Sequence, residues 1–228
     1  MPHTELEIPE KIPLYLQQEI VPFPYMVFPL YVNDRQLSTF TTAESYDKLI
    51  CIKFQMPESG AGDGISESPE IGTLCRVNQI KKADAGRSKV TLEGLARFQI
   101  GEQEIDENIL FVHGEVVREF VEKSLVSDAL VQSLNALLKI SLSNGKPLPD
   151  DVMKMIDYID NPARLSDLVA LYVNLPLPGL QELLETIDPL ERLKKVYVHL
   201  TTEVQRMQVK NEVSTEVSKR VNKNQKEY

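Results

Sequence analysis

"IGTLCRVNQIKKADAGRSKVTLEGLARFQI", residues 71–100, decides the first half of the fold. Two runs rich in apolar and β-branched residues flank "ADAGR", which reads as a short glycine-containing turn, so the stretch predicts a β-hairpin. In its second strand Val90 and Leu92, followed by Leu95 and Phe98, face a core, while Lys89, Thr91 and Glu93 alternate outward. Gly94 interrupts that alternation and marks a bulge.

Upstream, "KIPLYLQQEIVPFPYMVFPLYV" (11–32) is apolar and broken by Pro13, Pro22, Pro24 and Pro29. Proline fixes φ and removes a donor, so the expectation is short edge strands joined by a tight irregular loop. "DRQLSTFTTAESYD" (34–47) spaces Leu37, Phe40, Ala43 and Tyr46 as in a short amphipathic helix, and "KLICIKF" (48–54) reads as a buried strand. "PESGAGDGISESPE" (57–70) is a solvated loop; no lysine follows its glycines and its charge is negative, which argues against a phosphate cradle. Downstream, "NILFVHGEVVREF" (108–120) supplies one more strand. About six strands and one short helix predict a small curved sheet or open barrel.

The second half is helical. Leu130, Leu134, Leu137 and Leu138 line one face of a helix that "SNG" (143–145) stops near Gly145. "PDDVMKMIDYI" (149–159) starts another with acidic residues in its first turn. "NPARLSDLVALYV" opens on Asn161 as N-cap and Pro162 at the first helical position, and "GLQELLETI" is a short amphipathic helix. Asp188, Pro189 and Glu191 repeat the device as the outline of a capping box. From there Leu190, Leu193, Tyr197, Leu200, Val204 and Met207 form a heptad stripe, after which Val209, Val213, Val217 and Val221 recur four apart. Two residues turn a helix by about 200°, so the valines lie nearly opposite the first stripe. The first stripe is expected to dock on the preceding helices and the second on something else.

Composition restricts the chemistry. Of 228 residues, 42% are hydrophobic and 26% charged, values ordinary for a soluble globular protein. No apolar run is long enough to cross a bilayer, and the N-terminus lacks the basic-then-apolar pattern of a signal peptide, so the expectation is a cytoplasmic protein without membrane contact. The two cysteines, Cys51 and Cys75, lie in strand-like runs and read as buried free thiols. His3, His113 and His199 are too dispersed for a structural zinc site. The net charge of −9 disfavours nucleic acid as a partner. No nucleophile motif, no H-E-x-x-H and no G-x-x-x-x-G-K-S/T is present, and the carboxylate pairs Asp150–Asp151 and Glu102–Glu104 suit a solvated surface. The segment reads as a binding or assembly module, with no catalytic residue, no metal ligand and no cofactor of its own.

Three motifs resemble the N-terminal region of Lon-type ATP-dependent proteases: F-P-x-x-x-x-P-L-x-V from Phe23 to Val32, the V-x-L-x-G-L-x-R-x-x-I strand, and the P-x-R-L-x-D-L and D-x-x-E-R-L helices. The resemblance runs from about residue 11 to the end, with "QQE" (17–19) standing where the family usually has Arg-Asp. It implies an α+β fold: a PUA-like β-rich pseudo-barrel (1–118), a helical subdomain (119–200) and a long connecting helix (201–228) that leads to an ATPase module. It also implies substrate recognition and hexamer assembly for a protease that degrades misfolded, damaged and regulatory proteins. ATP, Mg and a Ser-Lys dyad would belong to the parent enzyme beyond this segment. The alternative is a stand-alone Lon-N-like adaptor or ligand-binding protein. Within this frame Phe23, Tyr25, Met26 and Phe28 either offer an apolar surface to unfolded chains or fill the barrel core. Val209, Val213, Val217 and Val221 either pair with neighbouring protomers of a homo-hexamer or frame one solvated helix.

Overall fold

Long strands need partners on both sides, and the hairpin of residues 71–100 organises the others around it. The computed structural model describes residues 8–56, 70–84, 86–121, 124–143, 159, 161–173 and 175–226. Most of the acidic glycine loop, Gly145 and nearly all of the helix expected at 149–159 lie outside the described residues. The chain divides into two compact units. One runs to Glu119 and takes in Leu175–Ile187; the other comprises Phe120–Asn174 and everything from Asp188.

The first unit is a six-stranded sheet: β1 Ile12–Gln17, β2 Val27–Asn33, β3 Leu49–Phe54, β4 Ile71–Lys82, β5 Arg87–Asp106 and β6 Ile109–Val116. The order is β2-β5-β4-β3-β1-β6, and β5 pairs a second time with β6, which closes five of the strands into a ring. β5 manages this by its length of 20 residues: Arg87–Glu93 pairs with β2, and its far half, from Phe98, pairs with β6. Register shifts bend it, one where Gly94 and Ala96 face Cys75 and Leu74, another between Ile100 and Gln103. Inward-facing residues form two cores, one around Phe28, Phe40, Ile52 and Leu92, the other around Ile12, Cys51, Leu74 and Phe98. β3 is buried at every position, as its apolar run requires.

The reading of both proline-broken segments as edge strands needs correction. β2 is an edge, but β1 lies inside the sheet, parallel to β3 and antiparallel to β6. Pro13 is tolerated there because the β6 pairing comprises Ile12 and Pro13 alone, while Leu14–Gln17 pairs with β3 on the other side. Between β2 and β3, helix α1 (Asp34–Thr42) starts with a complete capping box. Asn33 Oδ1 accepts from the Gln36 amide at 2.9 Å, and Gln36 Oε1 accepts from the Asn33 amide at 3.0 Å. Phe40 and Ala43, in and just after α1, fill the first core.

Among the described residues the remaining helices are α2 (Leu125–Ser143), α3 (Pro162–Ala170), α4 (Leu177–Glu185) and α5 (Pro189–Lys226). Asn161 Oδ1 caps α3 through the amides of Ala163 and Arg164, and Asp188 Oδ1 caps α5 through those of Leu190 and Glu191. In the second unit α2 and α3 both pack on α5. Leu134 and Leu138, Leu165 and Val169, and Leu193, Val196, Leu200 and Val204 are buried. The Arg192 guanidinium is enclosed with them; its Nε donates to Ser166 Oγ at 3.0 Å and lies 3.0 Å from Asp167 Oδ1 in an ion pair. Removing one partner of such a buried pair is costly, because it leaves the other charge buried and uncompensated.

The division differs from the contiguous one expected, because α4 groups with the β unit. Its Leu183 and Leu184 are buried, Gln181 Nε2 donates to the Ile71 carbonyl at 3.0 Å, and Arg97 Nε donates to the Leu184 carbonyl at 2.8 Å.

Candidate functional site

"VPFPYMVF" (21–28) enters β2 by a loop whose every turn is held to the sheet. Pro22 and Pro24 stiffen it, and the Thr73 hydroxyl donates to the Pro22 carbonyl at 2.7 Å. Tyr25 takes a left-handed backbone (φ 67°) and its amide donates to the Gly94 carbonyl at 2.7 Å; the Gly94 amide returns a bond to Met26 O at 2.8 Å. The approach is so close that a Cβ on Gly94 would stand 2.2 Å from the Phe23 carbonyl oxygen. The left-handed residue costs on the order of 1 kcal/mol, which the surrounding hydrogen bonds offset.

The four residues singled out in this stretch separate. Phe23 is fully buried, its ring beneath the Arg97 guanidinium at 5.9 Å, and Phe28 is 2% exposed within the first core. Met26 is half-buried against that core, whereas Tyr25 is 63% exposed. Prolines and the positive φ reset the phase of the alternation, so that Tyr25 turns outward between two buried phenylalanines. Beyond them the strand pattern resumes. Val27, Pro29 and Tyr31 point out, Phe28 and Val32 point in, and Val27 and Tyr31 are 62% and 57% exposed. Sequence reasoning did not include Val27, Pro29 and Tyr31. The signal was available in their spacing of two from one another.

Tyr25, Val27, Pro29 and Tyr31 thus make an apolar, partly aromatic row on a rigid support. The β5 residues paired across from it are Glu93, Thr91 and Lys89, and Lys81 of β4 stands across from Lys89. Exposed aromatic and branched side chains on fixed backbone suit contact with apolar segments of another chain. Nucleophilic chemistry is not supplied nearby: burial pushes the Cys51 and Cys75 thiols well up, away from thiolate. Among the described residues no group of three His, Cys, Asp or Glu is placed to hold a metal ion, and no helix is long and apolar enough to cross a membrane.

On α5 the buried stripe ends at Val204 (6% exposed), and Val209 and Val213 are 58% and 56% exposed. Val217 and Val221 continue in the same helix, with side chains outside the described set.

Comparison with known proteins adds three findings. Residues 11–202 match the family model described as the ATP-dependent protease La (LON) substrate-binding domain. The chain is 55% identical over 223 residues to a Lon protease of Citrifermentans bemidjiense, covering 98% of this chain and 28% of that protein. It is 28% identical over 223 residues to the Lon protease of Escherichia coli K12, covering 96% of this chain and again 28% of the relative. Among solved structures, the N-terminal domain of a Mycobacterium avium complex Lon protease superimposes with TM-score 0.72 at 20% identity, covering 84% of this chain and 98% of that one. A Lon N-terminal domain protein from Xanthomonas campestris gives TM-score 0.57 at 18% identity, with coverages of 82% and 97%. These two structures share the fold.

Proposed function

The chain belongs to the Lon protease substrate-binding-domain family, and from that premise we propose that it selects protein substrates for an ATP-dependent serine protease of which it is the N-terminal region. It spans 28% of the length of the Citrifermentans relative, so the proteolytic activity is assigned to a parent chain. The reading places that parent in the cytoplasm as a hexamer, with ATP and Mg used by other modules. The phosphate-cradling loop G-x-x-x-x-G-K-S/T does not occur in the sequence, so that way of holding a nucleotide is assigned to the other modules.

The observation that carries the reading is the outward row Tyr25, Val27, Pro29 and Tyr31 on a loop and strand locked by Gly94 and Thr73. Unfolded proteins differ from folded ones in exposing apolar side chains, and a fixed apolar row distinguishes the two without reading a sequence. Phe23 and Phe28 support it from inside. A stand-alone adaptor would use the same row, but relatives named Lon protease align along almost the whole of this chain, which favours the protease reading. The valines beyond Val204 are assigned to contacts between protomers of the parent.

The test is binding of a reduced, carboxymethylated protein, permanently unfolded, to the 228-residue chain. Tyr25→Asp and Val27→Asp together should weaken binding by about tenfold or more with thermal stability retained, since both side chains are exposed. Unchanged affinity in the folded double variant would remove the row from substrate contact.

A further inference from the structure

β2 pairs with β5 on one side only, so its other edge carries backbone groups whose direction is fixed by strand parity. The Gly94 amide donates to Met26 O, while the Met26 amide turns back to Phe23 O, so a single bond at this position sets the phase of the ladder. Counting along β2, Phe28, Leu30 and Val32 then turn their N–H and C=O groups to β5, and Val27, Pro29, Tyr31 and Asn33 turn theirs away. Two facts agree with this phase. Pro29 has no N–H to give to Thr91, and the Asn33 amide is used by Gln36 Oε1 instead of by β5. The free edge therefore presents the N–H groups of Val27 and Tyr31 and the carbonyls of Val27, Pro29 and Tyr31, with no partner among the described residues.

Natural edges are usually guarded by charged side chains, bulges or cover, because a bare row of backbone donors and acceptors pairs with any extended chain. Between Val27 and Tyr31 there is no charged residue; Pro29 is the single guard, and it removes one donor while leaving its carbonyl. Val27, Pro29 and Tyr31 of the exposed row lie on this same strand, so a chain pairing with the edge would set alternate side chains beside Val27 and Tyr31.

We propose that the outer edge of β2 takes an extended segment of unfolded polypeptide as an added strand. The inference rests on the proposed substrate-selecting role and supplies its chemistry. Backbone bonds from Val27 and Tyr31 hold any sequence able to extend, while the apolar row favours segments with apolar residues at alternate positions. The residue facing Pro29 donates to its carbonyl and receives nothing back, so the ladder is short and reversible. A folded protein, whose strand edges are already paired or covered, is not taken.

The experiment uses the 228-residue chain and a fluorescein-labelled nonapeptide of alternating Val and Thr with a central Phe, with and without N-methylation of three consecutive central amides. The unmodified peptide should bind and slow hydrogen exchange at the Val27 and Tyr31 amides, read residue by residue by NMR. The N-methylated peptide, with the same side chains, should bind about tenfold or more weakly. Tyr31→Pro, which removes the edge N–H, should weaken binding by a similar factor relative to Tyr31→Thr, which keeps it. Equal binding of both peptides with unchanged exchange overturns strand addition and leaves side-chain contact as the basis of selection. Binding of the carboxymethylated protein but of neither peptide also overturns it; binding of none of the three removes the substrate-selecting role as well. Concentration-dependent dimers that protect the same amides without peptide would identify a second copy as the occupant and overturn it too.

Discussion

At Gly94 a hydrogen atom in place of a methyl group is what lets the 21–26 loop lie on the sheet. The atom a Cβ would strike is the Phe23 carbonyl oxygen, a backbone atom, so relief requires moving the loop instead of rotating a side chain. Moving it would loosen the Tyr25–Gly94 and Gly94–Met26 hydrogen bonds and the seat of Phe23 beneath Arg97. Gly94→Ala is therefore expected to cost about 2–4 kcal/mol in urea unfolding, at the high end for a single methyl. Gly86 provides the contrast: its φ is +69° and nothing lies within 4 Å of its missing Cβ, so Gly86→Asn, which tolerates that backbone, should cost less than about 1 kcal/mol. Sequence alternation alone located the break at Gly94. It carried no information about Phe23, because that contact joins residues remote in sequence. The same limit applies to Tyr25: two prolines and a left-handed residue set its direction, and a period-two pattern has no means of counting through them.

Helix α5 was legible in more detail, since heptad spacing reports a face directly. The first stripe is realised at Leu193, Leu200 and Val204, each 6% exposed or less, and Val196 joins them. Beyond Val204 no described α5 side chain is buried, and Val209 and Val213 face outward. What the pattern left open was the ion pair inside that interface. A buried arginine such as Arg192 is read from sequence as a surface residue unless its partner Asp167, on another helix, is already known. The two faces should respond differently to mutation. Leu200→Ala should cost about 2–4 kcal/mol by urea unfolding of the chain, from lost burial and the cavity left behind. Val213→Asp should cost less than about 1 kcal/mol, since it replaces an exposed residue by a poorer helix former. On the proposal that the valines join protomers of a hexameric parent, the order should reverse for assembly: Val213→Asp with Val217→Asp should lower the hexamer fraction in sedimentation. A hexamer unchanged by both substitutions would leave the valines as one face of a solvated helix.

At the scale of the whole chain, the feature least legible in sequence is the return of α4 to the β unit. Periodicity tells which face of a nine-residue helix is apolar, and says nothing about which neighbour covers it. Leu183 and Leu184 look like the residues of any bundle helix, and only their contacts assign them. Those contacts are specific: the Gln181 side chain reaches the Ile71 carbonyl, and the fully buried Arg97 donates to the Leu184 carbonyl while its Nη1 lies 3.1 Å from Glu119 Oε1. A buried guanidinium is costly unless its donors are satisfied, so removing the Leu184 carbonyl from position would leave Arg97 short of an acceptor. The β unit is therefore completed by a segment made after Asn174, and a fragment ending at Glu119 lacks the acceptor that Leu184 gives Arg97 and the donor that Gln181 gives Ile71. Leu184→Ala tests this without truncation. The expected loss is about 2–4 kcal/mol, and native-state hydrogen exchange should show it in the amides of β4 and β5. The helical unit should keep its protection, because α2, α3 and α5 bury one another without Leu184. If instead the amides of α3 and α5 lose protection and those of β4 and β5 do not, α4 belongs energetically to the helices, and the unit boundary lies where the contiguous reading of the sequence put it.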